Sequence, residues 1–480
     1  MTSTVTLPFW LALIISALAI WAAFERILLP ALRWFLRRRF NRSIDELNTR
    51  LKLRIQPFKL AKRQALIDQL LFDPEVLRAI EEYAAANKVS REAAQARARD
   101  YAREIVPSFS AYAYFGIGTR LARWVSTFLY RVRLGYLDEA AMQPVEPDPA
   151  VIFVINHRSN MDYVLVTYMA STSSALSYAV GEWARVWLLQ NLIRSMGAYF
   201  VRRDSREPLY RKVLSRYVHL AVAGGLTQAM FPEGGLTRDG KLRSPKLGLL
   251  SYMVSGFDPQ GPRDAVFVPV GINYDRVLED RVQVAALMTP EGEKPRFTFS
   301  PVVLLGFLAS NLKLRMQGRL YRYGYACVSF GKPVSLRQFV TERGIDFRTL
   351  DEKRRFAEIE ELGKTLMQRV GQVVPALPVS LVATVMLAAA KPLSALELKG
   401  EVEILIRRLI ACGAHIHIPR SDQDYAIEVG LRMLLLRHFV EEQNGLYRAN
   451  PREEILLRYY ANSIAHLLPA GQPEVAAAAE

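Results

Sequence analysis

Apolar residues are common in five short runs between residues 150 and 274, and in the first run they are continuous rather than alternating. The runs are Val151–Ile155, Leu176–Val180, Ala198–Arg202, Thr227–Phe231 and Ala265–Ile272. Runs rich in β-branched and aromatic residues are typical of strands that are buried on both faces. Helical stretches lie between them, at Glu182–Ser195, Leu209–Ala223 and Lys246–Ser255. The alternation predicts an α/β fold with a mainly parallel sheet and covering helices.

Helical patterns flank this α/β region on both sides, over residues 43–142 and 393–468. Two helix starts are predicted in the first of these stretches, at Asp73 before Pro74 and at Ser90. Asp and Ser are good N-cap residues, and proline suits the first helical turn.

Three further stretches follow the predicted sheet. Ser329–Ser335 resembles a late strand and turn. Pro301–Leu314 and Ala376–Ala390 are apolar but too short to span a bilayer reliably. Core helices are the expectation for both, and a surface that rests on a membrane is the alternative.

Together these patterns divide the chain into five parts. They are a membrane-anchoring helix (1–30), a basic, helical N-terminal region (31–149), the α/β domain (150–392), a helical C-terminal region (393–470) and a disordered tail (471–480).

The membrane helix is predicted from Leu7–Phe24, whose one polar side chain is Ser16. Eighteen residues at a rise of 1.5 Å give about 27 Å, enough to span a bilayer core. Arginines follow the run, so the positive-inside rule places the rest of the chain in the cytoplasm, on the inner face of the cell membrane. A re-entrant or surface-lying helix remains the alternative.

The net charge of +16 is unevenly distributed, because Glu25 to Arg63 contains twelve basic and three acidic residues. Beside a predicted membrane helix, such a cluster favours anionic membrane lipid as a partner. No motif supports a nucleic-acid partner. The two cysteines, Cys327 and Cys412, are far apart and are expected to be reduced thiols.

Candidate chemistry begins directly after the first apolar run, where His157 and Asp162 stand five positions apart. A histidine at the end of a parallel strand lies where open α/β sheets bind their ligands. A carboxylate that holds one ring nitrogen fixes the tautomer, and the other nitrogen can then take a proton from a hydroxyl.

Three more blocks end the later strands, at Gly197–Arg203, Phe231–Arg238 and Val268–Tyr274. If the strands are parallel, all four ends share one edge of the sheet. A base would then face guanidinium groups, which bind phosphate oxygens, and glycines, which let backbone amides approach an anion. The set suits a substrate that has a hydroxyl to activate and a phosphate to hold.

With His157–Tyr163, these blocks resemble the glycerolipid acyltransferase superfamily that has the H-x4-D motif. The form His-Arg-Ser-Asn-Met-Asp-Tyr is similar to the membrane-bound glycerol-3-phosphate acyltransferase branch, as are Pro245–Leu249 and Pro378–Thr384. The resemblance is strong over residues 151–275 and weak after Leu393.

The resemblance implies that His157 is the general base, that Asp162 orients it, and that the acceptor attacks an acyl thioester directly. The donor is acyl-CoA or acyl carrier protein, the product is lysophosphatidate, and no metal or bound cofactor is expected. Blocks two and three are implied to hold the acceptor phosphate. The candidate substrate-binding residues are Arg158, Arg202, Arg203, Glu233, Gly234, Gly235, Arg238 and Lys246.

The third block departs from the family pattern at Leu236, where the glycerol-3-phosphate branch has an arginine. The acceptor could therefore be the sn-1 hydroxyl of glycerol 3-phosphate, which is the first choice, or lysophosphatidate or dihydroxyacetone phosphate. A thioester hydrolase and a non-catalytic lipid-binding protein are further alternatives.

Two further motifs resemble ligand-binding sites only in part. Gly235 to Lys241 matches most of a phosphate-binding P-loop, but Leu242 replaces the Ser or Thr that would bind magnesium. His415 and His417 could share one face of a strand as metal ligands. No third ligand is indicated, so surface or packing histidines are the expectation.

Overall fold

The run before His157 forms the central strand of an eight-stranded sheet in the computed structural model, which describes residues 56–138, 149–170, 175–180, 187–202, 205, 207–288 and 323–469. The strands of this sheet are β1 (Arg131–Leu137), β2 (Ala150–Ile155), β3 (Ser177–Val180), β4 (Tyr199–Phe200), β5 (Gln228–Met230), β6 (Ala265–Tyr274), β7 (Tyr325–Phe330) and β8 (Val334–Ser335).

The strand order is β1-β7-β6-β2-β5-β3-β4, and β8 pairs with β6. Strand β2 is parallel to both neighbours, with Ile152 opposite Gln228 of β5 and Phe267 of β6. The pairings of β3 with β5 and with β4 are also parallel, whereas β7 and β8 are antiparallel to β6. The predicted mainly parallel sheet is therefore confirmed. All six residues of β2 are buried, which explains why its sequence does not alternate.

The described helices precede, cover and follow the sheet. They are α1 (Pro57–Leu60), α2 (Arg63–Leu71), α3 (Pro74–Asn87), α4 (Arg91–Ile105), a π-helix (Tyr112–Gly118), α5 (Thr119–Leu129), α6 (Met161–Ala170), α7 (Trp187–Ser195), α8 (Pro208–Ala223), α9 (Leu247–Val254), α10 (Asp280–Met288), α11 (Leu336–Arg343), α12 (Glu352–Val373), α13 (Pro378–Ala388), α14 (Ala395–Ala411), α15 (Gln423–Leu436) and α16 (Glu454–Ala465), with 3₁₀ turns at Pro419–Ser421 and Pro451–Glu453.

Both predicted helix starts are found. The Asp73 carboxylate accepts the backbone N–H of Glu75 at 3.0 Å, and the Ser90 hydroxyl accepts that of Ala93 at 3.2 Å. Each bond satisfies one of the N–H groups that a first helical turn leaves without a partner. The caps fix where α3 and α4 begin, and both helices pack into the large core beneath the sheet.

The helical prediction for residues 43–142 is wrong at its end, because Arg131–Leu137 forms strand β1. Strand β1 lies at the edge of the sheet and pairs in parallel with β7. Its sequence, Arg-Val-Arg-Leu-Gly-Tyr-Leu, has the two-residue alternation of a half-exposed strand. Gly135 fits closely here, since a Cβ atom at this position would lie 2.4 Å from the Ser329 hydroxyl.

The C-terminal region is also less purely helical than predicted. It contains a second sheet of three antiparallel strands, β9 (Leu393–Ser394), β10 (Val440–Gln443) and β11 (Leu446–Ala449). Asn444 and Gly445 join β10 to β11, and both have positive φ angles, 53° and 76°. An Asn-Gly pair is the preferred sequence for such a two-residue hairpin turn.

Helix α13 confirms that Ala376–Ala390 contains a core helix, since most of its residues are buried and it packs against α14, α15 and α16. His415 stacks on Tyr136 at 4.0 Å between ring centroids, and His417 meets Tyr325 edge-on at 5.2 Å. Both histidines are thus packing residues, as expected.

Within the described ranges, no helix is both long enough and apolar enough to cross a membrane. The predicted span Leu7–Phe24, the basic cluster up to residue 55, the apolar stretch Pro301–Leu314 and the tail 471–480 lie outside the described residues.

Gly271 provides a test of how tightly β6 is packed. A Cβ atom there would lie 2.4 Å from the carbonyl oxygen of Val373, at the end of α12. Because backbone must move, we expect Gly271→Ala to lower the free energy of unfolding by about 1–3 kcal/mol. In Gly400→Ala, an exposed position in α14 with no atom within 4 Å, the gain in helix propensity should raise it by up to about 1 kcal/mol. Urea unfolding of both variants measures the two shifts, and equal shifts would contradict the packing argument.

Candidate active site

Three of the four blocks meet at the carboxyl end of the central strands. The loop after β2, residues 156–160, lies between the turn after β5 and the end of β6. Asn156 joins β2 to β6, because its side chain donates to the carbonyl of Ile272 at 2.9 Å and accepts the N–H of Ile272 at 2.7 Å. The loop that carries His157 is therefore fixed to the sheet from its first residue.

His157 and Asp162 form the contact that the sequence predicts. His157 Nδ1 lies 2.9 Å from Asp162 Oδ2, and the two side chains are 1% and 0% exposed. Asp162 reaches the imidazole because α6 begins at Met161, so that its first turn brings the carboxylate back over the loop. The Asp162 carboxylate also accepts the backbone N–H groups of Arg158, at 2.8 Å, and Ser159, at 3.0 Å.

Tyr274, the last residue of β6, completes the surroundings of Asp162. Its hydroxyl donates to Asp162 Oδ1 at 2.7 Å. Burial and the neighbouring Asp162 carboxylate raise the pKa of Tyr274 well above its usual value, so the phenol stays protonated as a donor. Three donors thus converge on Asp162 beside Nδ1 of His157, and a carboxylate, which only accepts, can serve all of these partners. The sequence placed Tyr274 in the fourth block but did not indicate this bond.

Glu233, from the turn after β5, fixes the backbone of His157. One of its carboxylate oxygens accepts the N–H of His157 at 2.8 Å, and the other accepts the N–H of Arg243 at 3.2 Å. The N–H of Thr237 in turn donates to the carbonyl of His157 at 3.1 Å. The first and third blocks are therefore bonded to each other through the main chain of the histidine itself.

Aromatic rings surround the imidazole of His157. The ring of Phe231 lies 4.3 Å from it between centroids, and the ring of Tyr163 meets it edge-on at 5.5 Å. These apolar faces limit the orientations of the imidazole, whose Nδ1 is already bonded to Asp162. Neither aromatic contact was predicted, because both residues appeared in the sequence only as parts of motifs.

Glu279 is a second site residue that the sequence did not indicate. Its carboxylate accepts the Ser159 hydroxyl at 2.8 Å and the backbone N–H of Asn160 at 3.2 Å. Burial raises the pKa of Glu279 above its usual value. It lies five residues beyond the fourth block, so no motif pointed to it.

The second block contains β4, which is separated from β2 by the two strands β5 and β3. Arg202 forms a bidentate ion pair with Glu104 of α4, at 2.9 and 2.6 Å, and its guanidinium lies over the rings of Tyr101 and Tyr210. In this conformation Arg202 fastens α4 to the end of β4. Arg203 lies outside the described residues.

The third block forms a glycine-rich turn with exposed cations at its rim, and one of them, Arg243, donates to the carbonyl of Leu236 at 3.4 Å. Arg238 is exposed, with Nη1 at 3.5 Å from the carbonyl of Ala286, and Lys246 is exposed as well. Gly234 has a φ of 67°, and a Cβ atom there would lie 2.5 Å from Lys246 Cδ, so the lysine side chain crosses directly over the turn. Gly235 is partly exposed beside it, and so is Leu236.

Arg158 points away from this rim. Its side chain is buried, donates from Nη1 to the carbonyl of Gly240 at 2.9 Å, and lies 5.1 Å from the centre of the Tyr459 ring in α16. In this structure Arg158 connects the loop after β2 to the C-terminal region.

Two family models match the chain. One, described as Acyltransferase, matches residues 139–273, and the other, described as Glycerol-3-phosphate acyltransferase C-terminal region, matches residues 306–470. The first match contains the first three blocks and the fourth up to Asn273, and the second contains β7 to α16.

Curated relatives named glycerol-3-phosphate acyltransferase match most of the chain. The protein of Pseudomonas fluorescens is 28% identical over 427 residues, which are 86% of this chain and 49% of that protein. The proteins of Aeromonas hydrophila and Pseudomonas syringae are 28% and 27% identical over 85% of this chain, and 50% and 49% of their own lengths are covered. The chain thus spans about half the length of these relatives.

The crystal structure of a 1-acyl-sn-glycerophosphate acyltransferase from Thermotoga maritima matches 53% of this chain and 77% of its own chain. The identity is 20% and the TM-score is 0.29. A superposition this loose supports no argument about the fold.

Glu233 gives the site a measurable pH dependence. Burial raises the pKa of Glu233 from 4.5 to about 7. Between these values the folded protein keeps a proton that the unfolded chain has lost, so the free energy of unfolding should fall as the pH rises, by about 3 kcal/mol for this group. Glu233→Gln should remove that part of the slope between pH 4.5 and 7.

Urea unfolding at a series of pH values measures the slope, with the exposed substitution Glu401→Gln as the control. The buried Asp275, whose pKa burial raises to about 6, adds a slope of the same sign in every variant. The comparison between variants therefore isolates Glu233. An unchanged slope in Glu233→Gln would mean that Glu233 is ionised across this range.

Proposed function

Since the chain belongs to the glycerol-3-phosphate acyltransferase family, we propose that it transfers a fatty acyl group from an acyl thioester to the sn-1 hydroxyl of glycerol 3-phosphate. The product is lysophosphatidate, an early intermediate of phospholipid synthesis. The observation that carries the proposal is the 2.9 Å contact between His157 Nδ1 and Asp162 Oδ2 at the end of β2.

This contact sets the protonation of His157. Because the other three partners of Asp162 are donors as well, the carboxylate is an acceptor and Nδ1 of His157 carries the hydrogen. Nε2 then holds the lone pair that a general base needs.

The reaction proceeds in one displacement through a tetrahedral state. Nε2 of His157 takes the proton of the acceptor hydroxyl while the hydroxyl oxygen forms a bond to the thioester carbonyl carbon. The carbon–sulfur bond then breaks, and the imidazolium returns its proton to the departing thiolate. The Asp162 carboxylate, which accepts the Nδ1–H of His157, stabilises the imidazolium between these two steps, and its three other donors hold the carboxylate in place.

The phosphate of the acceptor binds at the glycine-rich turn. Gly234 and Gly235 let the backbone approach it, and Arg238 and Lys246 supply the charge. Arg203, at the end of the second block, completes the set in this proposal. Because Arg202 forms an ion pair with Glu104, its proposed role is structural and it does not bind the phosphate directly.

The acyl donor is acyl-CoA or acyl carrier protein. Both are acidic, and the net charge of +16 favours the approach of either. The thioester already activates the acyl group, so the proposed chemistry uses neither a metal ion nor a bound cofactor.

We place this chemistry at the cytoplasmic face of a membrane that contains anionic lipid. Besides the predicted span Leu7–Phe24, one described surface supports this placement, the outer face of α5. Leu121 and Trp124 are 44% and 52% exposed there, next to the exposed Arg120 and Arg123. No acidic residue occurs from Ile105 to Leu137. Apolar, aromatic and basic side chains on one face suit an anionic bilayer surface.

Acyl transfer by the membrane-bound protein tests the reaction. With palmitoyl-CoA and glycerol 3-phosphate, we expect lysophosphatidate, and we expect His157→Ala to lower the rate by about 10²–10⁴-fold, because the general base is lost. His219→Ala, which removes a half-buried histidine of α8, is the matched control and should keep full activity.

The acceptor is decided in parallel assays with lysophosphatidate and dihydroxyacetone phosphate. Product from lysophosphatidate alone would move the protein one step along the pathway, and Leu236 would explain the change. Free fatty acid without any acceptor would indicate a hydrolase. Lipid binding without turnover in wild type would indicate a non-catalytic protein.

The α5 face is tested by fluorescence quenching. In a Cys412→Ser background, we expect bimane at Leu121→Cys to be quenched by brominated acyl chains in vesicles of phosphatidylethanolamine and phosphatidylglycerol. Bimane at Leu396→Cys, an 80% exposed leucine of α14, serves as the control. The placement of the bilayer against α5 fails if the two labels are quenched equally or if only the control is quenched.

A further inference from the structure

Residues 274–280 follow β6 and make contacts in two directions. We call them the linking segment. They contain Tyr274, Asp275, Glu279 and Asp280, whose side chains are all hydrogen-bonded. On one side the segment contacts the loop that carries His157, and on the other it contacts the C-terminal region.

Toward the loop, two residues of the linking segment bind the chain between His157 and Asp162. Tyr274 donates to Asp162 at 2.7 Å. Glu279 accepts the hydroxyl of Ser159 at 2.8 Å and the N–H of Asn160 at 3.2 Å. Asp162 therefore holds the backbone of Arg158 and Ser159, and Glu279 of the linking segment holds Ser159 and Asn160. Arg158 has a second contact, with Gly240.

Toward the C-terminal region, Asp280 is the main contact. Its Oδ2 accepts Nη1 of Arg437 at 2.5 Å and also accepts the hydroxyl of Tyr460 in α16. The hydroxyl of Tyr460 accepts the N–H of Val277 at 3.0 Å. Asp275 adds a bond to α13, because its Oδ1 accepts the N–H of Val379 at 3.1 Å.

Charge and burial make Arg437 essential to this arrangement. The side chains of Asp280 and Arg437 are 4% and 11% exposed. A carboxylate this deeply buried is stable only with a partner, and Arg437 is the cation in contact with it. Since Glu279 and Asp280 are adjacent in the chain, the position of the second fixes the position of the first. The anchor of Ser159 and Asn160 thus depends on residues more than 150 positions later in the sequence.

Helix α16 also contacts the glycine-rich turn. Asn462 donates from Nδ2 to the carbonyl of Asp239 at 2.8 Å, and the ring of Tyr459 lies against the guanidinium of Arg158. Gly240 allows this approach, because a Cβ atom there would overlap the carbonyl of Tyr459. One helix therefore touches the first block and the two residues that directly follow the third.

We propose that the C-terminal region positions the catalytic loop, through Arg437 and Tyr460 to Asp280 and from the adjacent Glu279 to Ser159 and Asn160. Arg437, Tyr460 and Glu279 are positioning residues and touch no substrate. The role of this region in turnover rests on the proposed function, whereas its role in ordering the loop does not.

Hydrogen exchange tests the ordering directly on the full chain. Tyr460→Phe keeps the ring and removes the hydroxyl bonds to Asp280, Val277 and Arg437. We expect the amides of Arg158 and Ser159, which donate to Asp162, to exchange at least about 10-fold faster in this variant. Arg448→Met, which removes an exposed ion pair with Glu441 in the same region, should leave them unchanged. Exchange that rises evenly over the whole chain, or not at all in the loop, would overturn the proposal.

Kinetics then separates positioning from simple loss of stability. Well below the unfolding temperature, Tyr460→Phe should lower kcat about 10-fold or more while KM for the thioester stays within about twofold, because misplaced catalytic groups slow the chemical step. Glu279→Gln should do the same. Combined, the two substitutions should cost little more than the larger single effect, since both act through one connection. Effects that multiply would overturn the connection through Glu279.

Arg437→Met extends the series if it folds. It should give the same pattern as Tyr460→Phe, with faster exchange in the loop. If wild type transfers no acyl group to any acceptor, the proposed function fails, and the exchange measurements still decide whether the C-terminal region orders the loop.

Discussion

The candidate site depends on one buried carboxylate that has four hydrogen-bond donors. Asp162 is fully buried, and such a group is stable only when its lone pairs are occupied. Its donors come from the loop after β2 and from the end of β6. Burying Asp162 therefore requires that the loop curls around it and that α6 docks against β6. The orientation of the His157 imidazole follows from the same requirement and is not a separate property of the histidine.

Two more acidic side chains accept hydrogen bonds from the loop that surrounds Asp162. Glu233 and Glu279 are both largely removed from solvent, and each accepts a backbone N–H from the segment 157–160. Three acidic side chains from three different parts of the chain thus bind the main chain of one short loop. Each of them accepts backbone N–H groups of the loop, so these groups have partners outside the loop itself. Side chains from other segments therefore hold the loop, and His157 has a fixed position although it lies in neither a helix nor a strand.

The sequence predicted those features that depend on local patterns of residues. The continuous apolar run of β2, the caps at Asp73 and Ser90 and the pairing of His157 with Asp162 all depend on residues within a few positions of one another. The sequence could not predict contacts between distant segments. Nothing local joins Glu104 to Arg202, Glu279 to Ser159 or Arg437 to Asp280, because the intervening chain must fold first. Strand β1 and the Asn444-Gly445 hairpin differ from these distant contacts. Their alternation and turn sequence are local signals of strands, and the prediction of helix there is wrong.

The ion pair of Arg202 changes how the acceptor phosphate can be recognised. Breaking it would take the largely buried Glu104 carboxylate away from its bidentate partner and would remove the guanidinium from the faces of two tyrosine rings. Among the described residues, Arg238, Arg243 and Lys246 are then the cations at the glycine-rich turn, and all three are exposed. Ion pairs at an exposed rim are weak and sensitive to salt. On the proposed function, the phosphate therefore contributes modest affinity, and the fit of the glycerol carbons near His157 must supply much of the discrimination between acceptors.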